Sequence, residues 1–286
     1  MIPVIDFNSK SVLEEIREAY TTVGFAVFTN TLGIDDQKII HYWFDHMKQF
    51  FELDLEIKQK YSYQAENNLG YSVMGAENVD PTAPKDMKES FNYNNTRMPD
   101  KLWPTEIDFF KVTALNSVRI ADNLTIKILE KFDSILGSGT TLVDAHQNPY
   151  NTTRVIHYPA YTGPIENKQK RIGEHSDYGT ITLLWQINDV PGLQVQDLKG
   201  QWHPVPYADN GVVVNIGDLL QRWTNDYFVS TKHRVINSHI HLPRYSMPHF
   251  VDPTPGTIIK NLTNQPDKYD PIESKAYLMW RLAQSY

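Results

Sequence analysis

The chain has 286 residues, 41% of them hydrophobic and 12% aromatic, which suffices for one domain of β-barrel size or two smaller ones. Its net charge of −7 argues against a nucleic-acid partner, which requires a basic face, and no apolar run approaches the ~20 residues of a membrane span. The absence of cysteine removes disulfides, thiolate metal sites and cysteine nucleophiles.

The opening M-I-P-V-I-D-F has no basic segment leading into an apolar stretch, so no signal peptide is expected and the cytoplasm is the default location. Residues 2–7 read as a short strand. Residues 11–21 carry helix spacing through Val12, Ile16, Ala19 and Tyr20. Residues 24–29 are strand-like, and 34–51 form a helix with an apolar stripe of Ile39, Trp43, Phe44, Met47 and Phe50. Residues 67–97 are irregular, broken by Gly70, Gly75, Pro81 and Pro84. Trp103-Pro104 predicts the opening of a long helix that runs to about 136.

After Gly137 the pattern changes to short β-rich runs at 153–158, 180–186, 193–196, 212–216, 229–236 and 242–249, separated by Gly, Pro, Asn and Asp. Residues 270–286 predict a closing helix. The expected architecture is α+β, with helices packed on a β barrel.

Within the β region, H-S-D places His175 and Asp177 two apart, and residues i and i+2 of an extended chain face one side. His233, in S-T-K-H-R-V-I, sits in a similar setting. Two imidazoles and one carboxylate make the ligand set of a non-haem Fe(II) centre with open positions. The alternative for the tripeptide alone is a histidine bonded to its neighbouring aspartate. Arg244 and Ser246 repeat the i, i+2 spacing; they suit an acidic cosubstrate, or else Arg244 is a surface residue. Arg154, Ile156 and Tyr158 share one face of a strand and His157 the other. A buried Arg154 needs an anion, from a substrate carboxylate or from a local acid such as Glu174. His239, His241 and His249 form a competing cluster, led by the i, i+2 pair His239 and His241, which no acid neighbours closely in sequence.

Together, these residues resemble the isopenicillin N synthase-like Fe(II)/2-oxoglutarate-dependent dioxygenases. The matching pieces are I-P-V-I-D-F, G-F-A-V-F, D-M-K-E-S-F, R-V-I-H-Y-P, H-S-D-Y-G-T-I-T-L-L, V-V-N-I-G-D-L-L-Q-R-W-T-N, S-T-K-H-R-V and R-Y-S-M-P-H-F, in family order along nearly the whole chain. The resemblance implies a double-stranded β-helix (jelly-roll) core over 150–260, a mainly helical region over 1–136 and a C-terminal helix over 270–286, all in one unit. It implies Fe(II) held by His175, Asp177 and His233, and 2-oxoglutarate held by Arg244 and Ser246 with Tyr158 beside them. O2 would be the oxidant, and succinate and CO2 would be released as a C–H bond is hydroxylated, desaturated or cyclised. Many plant relatives carry Asn where this chain has Ile156.

Substrate contacts are expected at Arg154, Tyr71, Phe91, Arg222, Trp223 and the C-terminal helix, and Arg154 suggests a carboxylate or amino-acid derivative. A monomer acting on a small molecule is expected. The rivals are a 2-oxoglutarate-independent iron oxidase of the same fold, a zinc hydrolase, which leaves Arg244 and Ser246 without a role, and a non-catalytic jelly-roll binding protein.

Overall fold

The computed structural model describes residues 1–77 and 84–283, so Pro81 and the end of the predicted C-terminal helix lie outside the described residues. The first half supplies strands β1 (Val4–Asp6), β2 (Phe25–Thr29), β3 (Gly70–Ser72) and β4 (Glu89–Tyr93). Around them lie helices α1 (Val12–Thr22), α2 (Ile34–Glu52), α3 (Leu55–Lys58) and α4 (Phe110–Leu136). After α5 (Thr141–Ala145) come β5 (Thr152–Tyr158), β6 (Ile172–His175), β7 (Ile181–Gln186), β8 (Leu193–Gln196), β9 (Trp202–Pro204) and β10 (Val212–Ile216). Helix α6 (Asp218–Trp223), β11 (His233–Val235), β12 (Arg244–Val251), β13 (Ile258–Ile259), β14 (Ile272–Glu273) and α7 (Ser274–Leu282) complete the chain.

Eight strands form one sheet in the order β1-β2-β10-β7-β12-β5-β4-β3, and β6-β11-β8-β9 form a smaller one. Both faces of the large sheet are covered. Its outer face packs on α2 and α4 through Trp43, Phe50, Phe110, Val155 and Met247, and its inner face meets the small sheet through Phe25, Ile156, Tyr158, Leu193, Val195 and Val235. This is the jelly-roll core, with helices on one side. In β12 the alternation is complete: Ser246, Pro248 and Phe250 line the space between the sheets, while Met247 and His249 are buried on the other side.

Three expectations are corrected. The 67–97 segment, read as irregular, contributes β3 and β4 to the large sheet; β4 is only five residues long and buries Glu89, Ser90 and Asn92 along with Phe91 and Tyr93, so polar residues mask a buried strand. The long helix does not open at Trp103-Pro104. Thr105 donates its N–H to the Tyr61 hydroxyl at 3.2 Å and to Glu106 at 3.1 Å, Phe109 turns left-handed (φ 60°), and α4 starts at Phe110. Helix α7 starts at Ser274, because residues 272–273 pair with β13 and the Glu273 carboxylate caps the N–H groups of Lys275 and Ala276. Strands β6 and β9, for which the sequence shows no clear run, complete the small sheet.

Candidate metal and cosubstrate site

Strand pairing brings the distant histidines together. In the antiparallel β6–β11 pair His233 lies opposite His175, although 58 positions separate them along the chain. Their rings stand 4.2 Å apart between centroids. Asp177 follows β6 in the loop to β7, and its Oδ1 lies 3.8 Å from His175 Nε2 and 3.7 Å from His233 Nε2. Among the described residues this is the one group of three or more potential ligands close enough to share an ion.

The donor chemistry fits a divalent metal. Nδ1 of His175 lies 3.0 Å from the Gly173 carbonyl, and Nδ1 of His233 lies 3.4 Å from that of Thr231. Each contact favours the tautomer whose Nε2 lone pair points at the shared space. Asp177 Oδ2 accepts from the Thr182 hydroxyl at 2.6 Å and from the Asn215 amide at 2.8 Å, which leaves Oδ1 facing the imidazoles. Burial, reinforced by the His233 ring, pushes His175 down to about 4, so it stays neutral and able to ligate at physiological pH. Burial opposes the charge of Asp177, but His233, His175 and the two donors hold it below the usual carboxylate range.

Thr182 and Asn215 drew no attention as sequence. Their signal is a buried polar side chain inside an apolar strand, I-T-L-L and V-V-N-I. Asn215→Ala is expected to weaken metal binding ~10–100-fold, as loss of an outer hydrogen bond to a ligand does. Titration of the apoprotein with Fe(II) or Mn(II) reads this directly, and an unchanged affinity would remove Asn215 from the support of Asp177.

The same cavity contains Arg244, Ser246 and Tyr158. Arg244 is 1% exposed, is opposite Tyr158 in the β12–β5 register, and has its guanidinium 5.0 Å from the Tyr158 ring centroid. One of its Nη atoms donates to Ser246 Oγ at 3.3 Å and the other to Gln186 Oε1, while Nε has no partner. No acid among the described residues pairs with it, and burial depresses its pKa against the pull of Tyr158. A buried guanidinium beside a hydroxyl, without an anion, is matched to a ligand carboxylate.

Arg154 and Ile156 also line this cavity, and His157 points away, as the strand parity requires. Arg154 pairs with Glu77 at 2.8 Å and donates to Asn92 at 2.7 Å. The local acid is therefore Glu77, not Glu174, which pairs with Arg234 and Lys170. Lys88 ion-pairs with the same Glu77 and also lines the cavity. Burial opposes the Glu77 charge, but Arg154 and Lys88 hold its carboxyl well below the usual range.

Four expected substrate contacts lie elsewhere. Tyr71 hydrogen-bonds Glu89 and packs on Phe50, although Asn67 and Asn68 of the same segment do reach the cavity. Phe91 is opposite Val155, on the helix-facing side of the sheet, packed on Phe50 and Phe110. Arg222 donates to the Asp270 carbonyl and lies over the Tyr269 ring. Trp223 is buried near His146. Helix α7 does reach the site, through Leu278, Met279 and Leu282. The competing histidines do not converge: His249 is buried against Thr153 and Asn151, and His239 and His241 lie in a separate turn.

Asp252, just past β12, was also missed. Burial pushes it up to about 7, helped by the charge of Asp177 and opposed by Arg97. Between its ordinary value and about 7 the folded chain holds a proton that the unfolded chain has lost, so stability falls as pH rises through that window. Asp252→Asn cannot ionise. It is expected to leave metal-free stability unchanged near pH 4 and to raise it by about 3–4 kcal/mol at pH 8. Denaturant melts at the two pH values check this; an equal effect at both would remove the buried charge as the cause.

Residues 150–253 match the 2OG-Fe(II) oxygenase superfamily, and residues 2–107 match the non-haem dioxygenase in morphine synthesis N-terminal family. The chain is 30% identical to proline hydroxylase buaE of Petromyces alliaceus, covering 98% of this chain and 95% of that protein. It superposes on a full-length Neurospora crassa protein, solved in complex with alpha-KG and thymine, with a TM-score of 0.88 at 33% identity, covering 100% of this chain and 97% of that one. A putative 2OG-Fe(II) oxygenase family protein from Caulobacter crescentus gives 0.85 at 29% identity, covering 99% and 98%. Fold and site define a jelly-roll oxygenase of the non-haem iron class. The chain belongs to the 2OG-Fe(II) oxygenase superfamily: it is a 2-oxoglutarate-dependent dioxygenase that uses Fe(II), 2-oxoglutarate and O2.

Proposed function

We propose that His175, Asp177 and His233 hold the Fe(II), and that Arg244, Ser246 and Tyr158 bind the distal carboxylate of 2-oxoglutarate. The substrate in this reading is a small polar molecule, a carboxylate, amino-acid derivative or polar ring, that presents oxygen to Lys88 and Arg154. The observation that carries it is the order of groups in one cavity: the His/Asp/His cluster, the acid-free Arg244 and, on the same wall, a cation pair sharing one anion. On that wall Arg154 and Lys88 both pair with Glu77. The thymine in the Neurospora structure and the name proline hydroxylase point to ligands of similar size and polarity.

When bound, the iron couples oxidative decarboxylation of 2-oxoglutarate to oxidation of an unactivated C–H bond. The protein's own residues provide position and exclusion. Thr182 and Asn215 fix the Asp177 carboxylate, Arg244 sets the cosubstrate's direction, and Ile156, Leu184, Pro248 and Phe250 keep the wall apolar. Among the described residues no helix is long and apolar enough to cross a membrane, and the reading takes the enzyme as a cytoplasmic monomer.

The test is a screen of small carboxylates, amino-acid derivatives and polar rings for substrate-stimulated succinate release, with products identified by mass spectrometry. Release that no compound stimulates would sink the substrate class. Arg154→Ala is expected to raise the KM of any substrate found by ~10–100-fold, the worth of a charged hydrogen bond. The 2-oxoglutarate KM should not follow it.

A further inference from the structure

One largely buried carboxyl faces the cavity and, among the described residues, accepts no hydrogen bond. Asp252 continues the every-second-residue series of Ser246, Pro248 and Phe250 along the cavity wall, and it is 7% exposed. Its backbone is fixed: the N–H donates to Asn151 Oδ1 at 3.0 Å, and the carbonyl accepts from Tyr150 N–H at 3.2 Å. Among the described residues no group donates a hydrogen bond to either carboxyl oxygen. The nearby cation, Arg97, directs its guanidinium N–H groups to the Asn67 and Asn151 carbonyls and the Thr152 hydroxyl, and stacks 3.7 Å from the Tyr150 ring.

The carboxyl fits there because residue 179 is glycine: a Cβ on Gly179 would stand 2.7 Å from Asp252 Oδ1. Gly179 is two residues past Asp177, so Asp252 lies beside the metal-binding loop and not at the cavity mouth. A carboxyl that faces the cavity and receives no donor from the chain is open to a ligand that brings one, and a ligand that displaces water without bringing one leaves it unpaired.

We propose that Asp252 selects the substrate by accepting a hydrogen bond from one of its N–H groups, so that the molecule oxidised here carries an amide, imide or amine nitrogen. The assignment deepens the substrate reading above and rests on it. Lys88 and Arg154 supply donors, Asp252 supplies the acceptor, and the Phe250 ring lies on the wall between, with the Arg154 guanidinium 5.9 Å from its centroid. A site with a buried hydrogen-bonding group discriminates strongly against analogues that lack the matching group, because the group is then left unpaired.

The experiment uses matched pairs that differ at nitrogen: pipecolate and its ring-oxygen analogue, valerolactam and valerolactone, uracil and N,N′-dimethyluracil. Binding is read by thermal shift and calorimetry on the full chain loaded with Mn(II) and 2-oxoglutarate, which does not turn over. At least one N–H member should bind wild type ~100-fold more tightly than its partner. Asp252→Leu should reduce that preference to less than ~3-fold, through weaker binding of the N–H member alone, and Asp252→Asn, which keeps an acceptor oxygen, should restore part of it. A merely structural residue would weaken both members of each pair together.

The proposal is overturned if no N–H member binds, if paired compounds bind equally, or if the preference survives in Asp252→Leu. Failure of the underlying reading shows separately, as a wild-type chain that Mn(II) and 2-oxoglutarate do not stabilise. A retained shift with Mn(II) and 2-oxoglutarate in Asp252→Leu shows that the variant is folded.

Discussion

Asp177→Ala should leave no measurable succinate release and no bound iron. Asp177 is the one anion among the three proposed ligands, and its Oδ1 is the atom both imidazoles face. Outer-shell changes cost ~10–100-fold in metal affinity, so loss of the charged ligand itself should exceed ~1,000-fold. The variant should still fold, because Thr182 and Asn215 lose a buried partner but removal of Asp177 also relieves the carboxylate desolvation it imposes. Metal content by atomic emission, together with the weak visible charge-transfer band of anaerobic Fe(II) and 2-oxoglutarate, measures the effect. A variant that keeps iron and the band would exclude Asp177 from the centre.

Arg244→Ala is expected to raise the 2-oxoglutarate KM by ~100-fold, equivalent to about 3 kcal/mol of charge-assisted, bidentate bonding. Arg244→Lys should recover little, since an ammonium cannot reproduce two parallel N–H donors. The guanidinium is buried and unmatched by any acid among the described residues, so no other group takes over its role. Competition by an N-oxalyl or pyridine dicarboxylate analogue measured by calorimetry would separate binding from turnover. An unchanged KM would exclude Arg244 as the cosubstrate anchor.

The parts of this site legible in the sequence are those where parity and residue type speak together. His175 with Asp177, Arg244 with Ser246, and Arg154 with Tyr158 share a face within each pair, and the structure places all six on the cavity. His233 was readable by type and setting, and its position came from pairing with β6, a strand too short and too mixed to be seen in advance. Strand β4 was hidden because its polar side is buried too: Ser90 and Asn92 face Glu77 and Arg154 while Phe91 and Tyr93 face the helices, and Phe91 was assigned to the cavity when its neighbour Asn92 faces Arg154. Arg222 and Trp223 fell in a matched family segment, but the helix it forms, α6, turns them toward Asp270 and His146. Glu77 lay in a segment with no periodicity, and only the folded chain shows that it, and not Glu174, balances Arg154.

The alternation along β12 has a consequence for how such enzymes diverge. Residues 246, 248, 250 and 252 meet ligand space, while 245, 247, 249 and 251 meet the chain's own interior. Selection for a new molecule and selection for a durable scaffold therefore act on interleaved but separate positions of one strand. A library restricted to the first set can explore reactivity while the second keeps the protein intact.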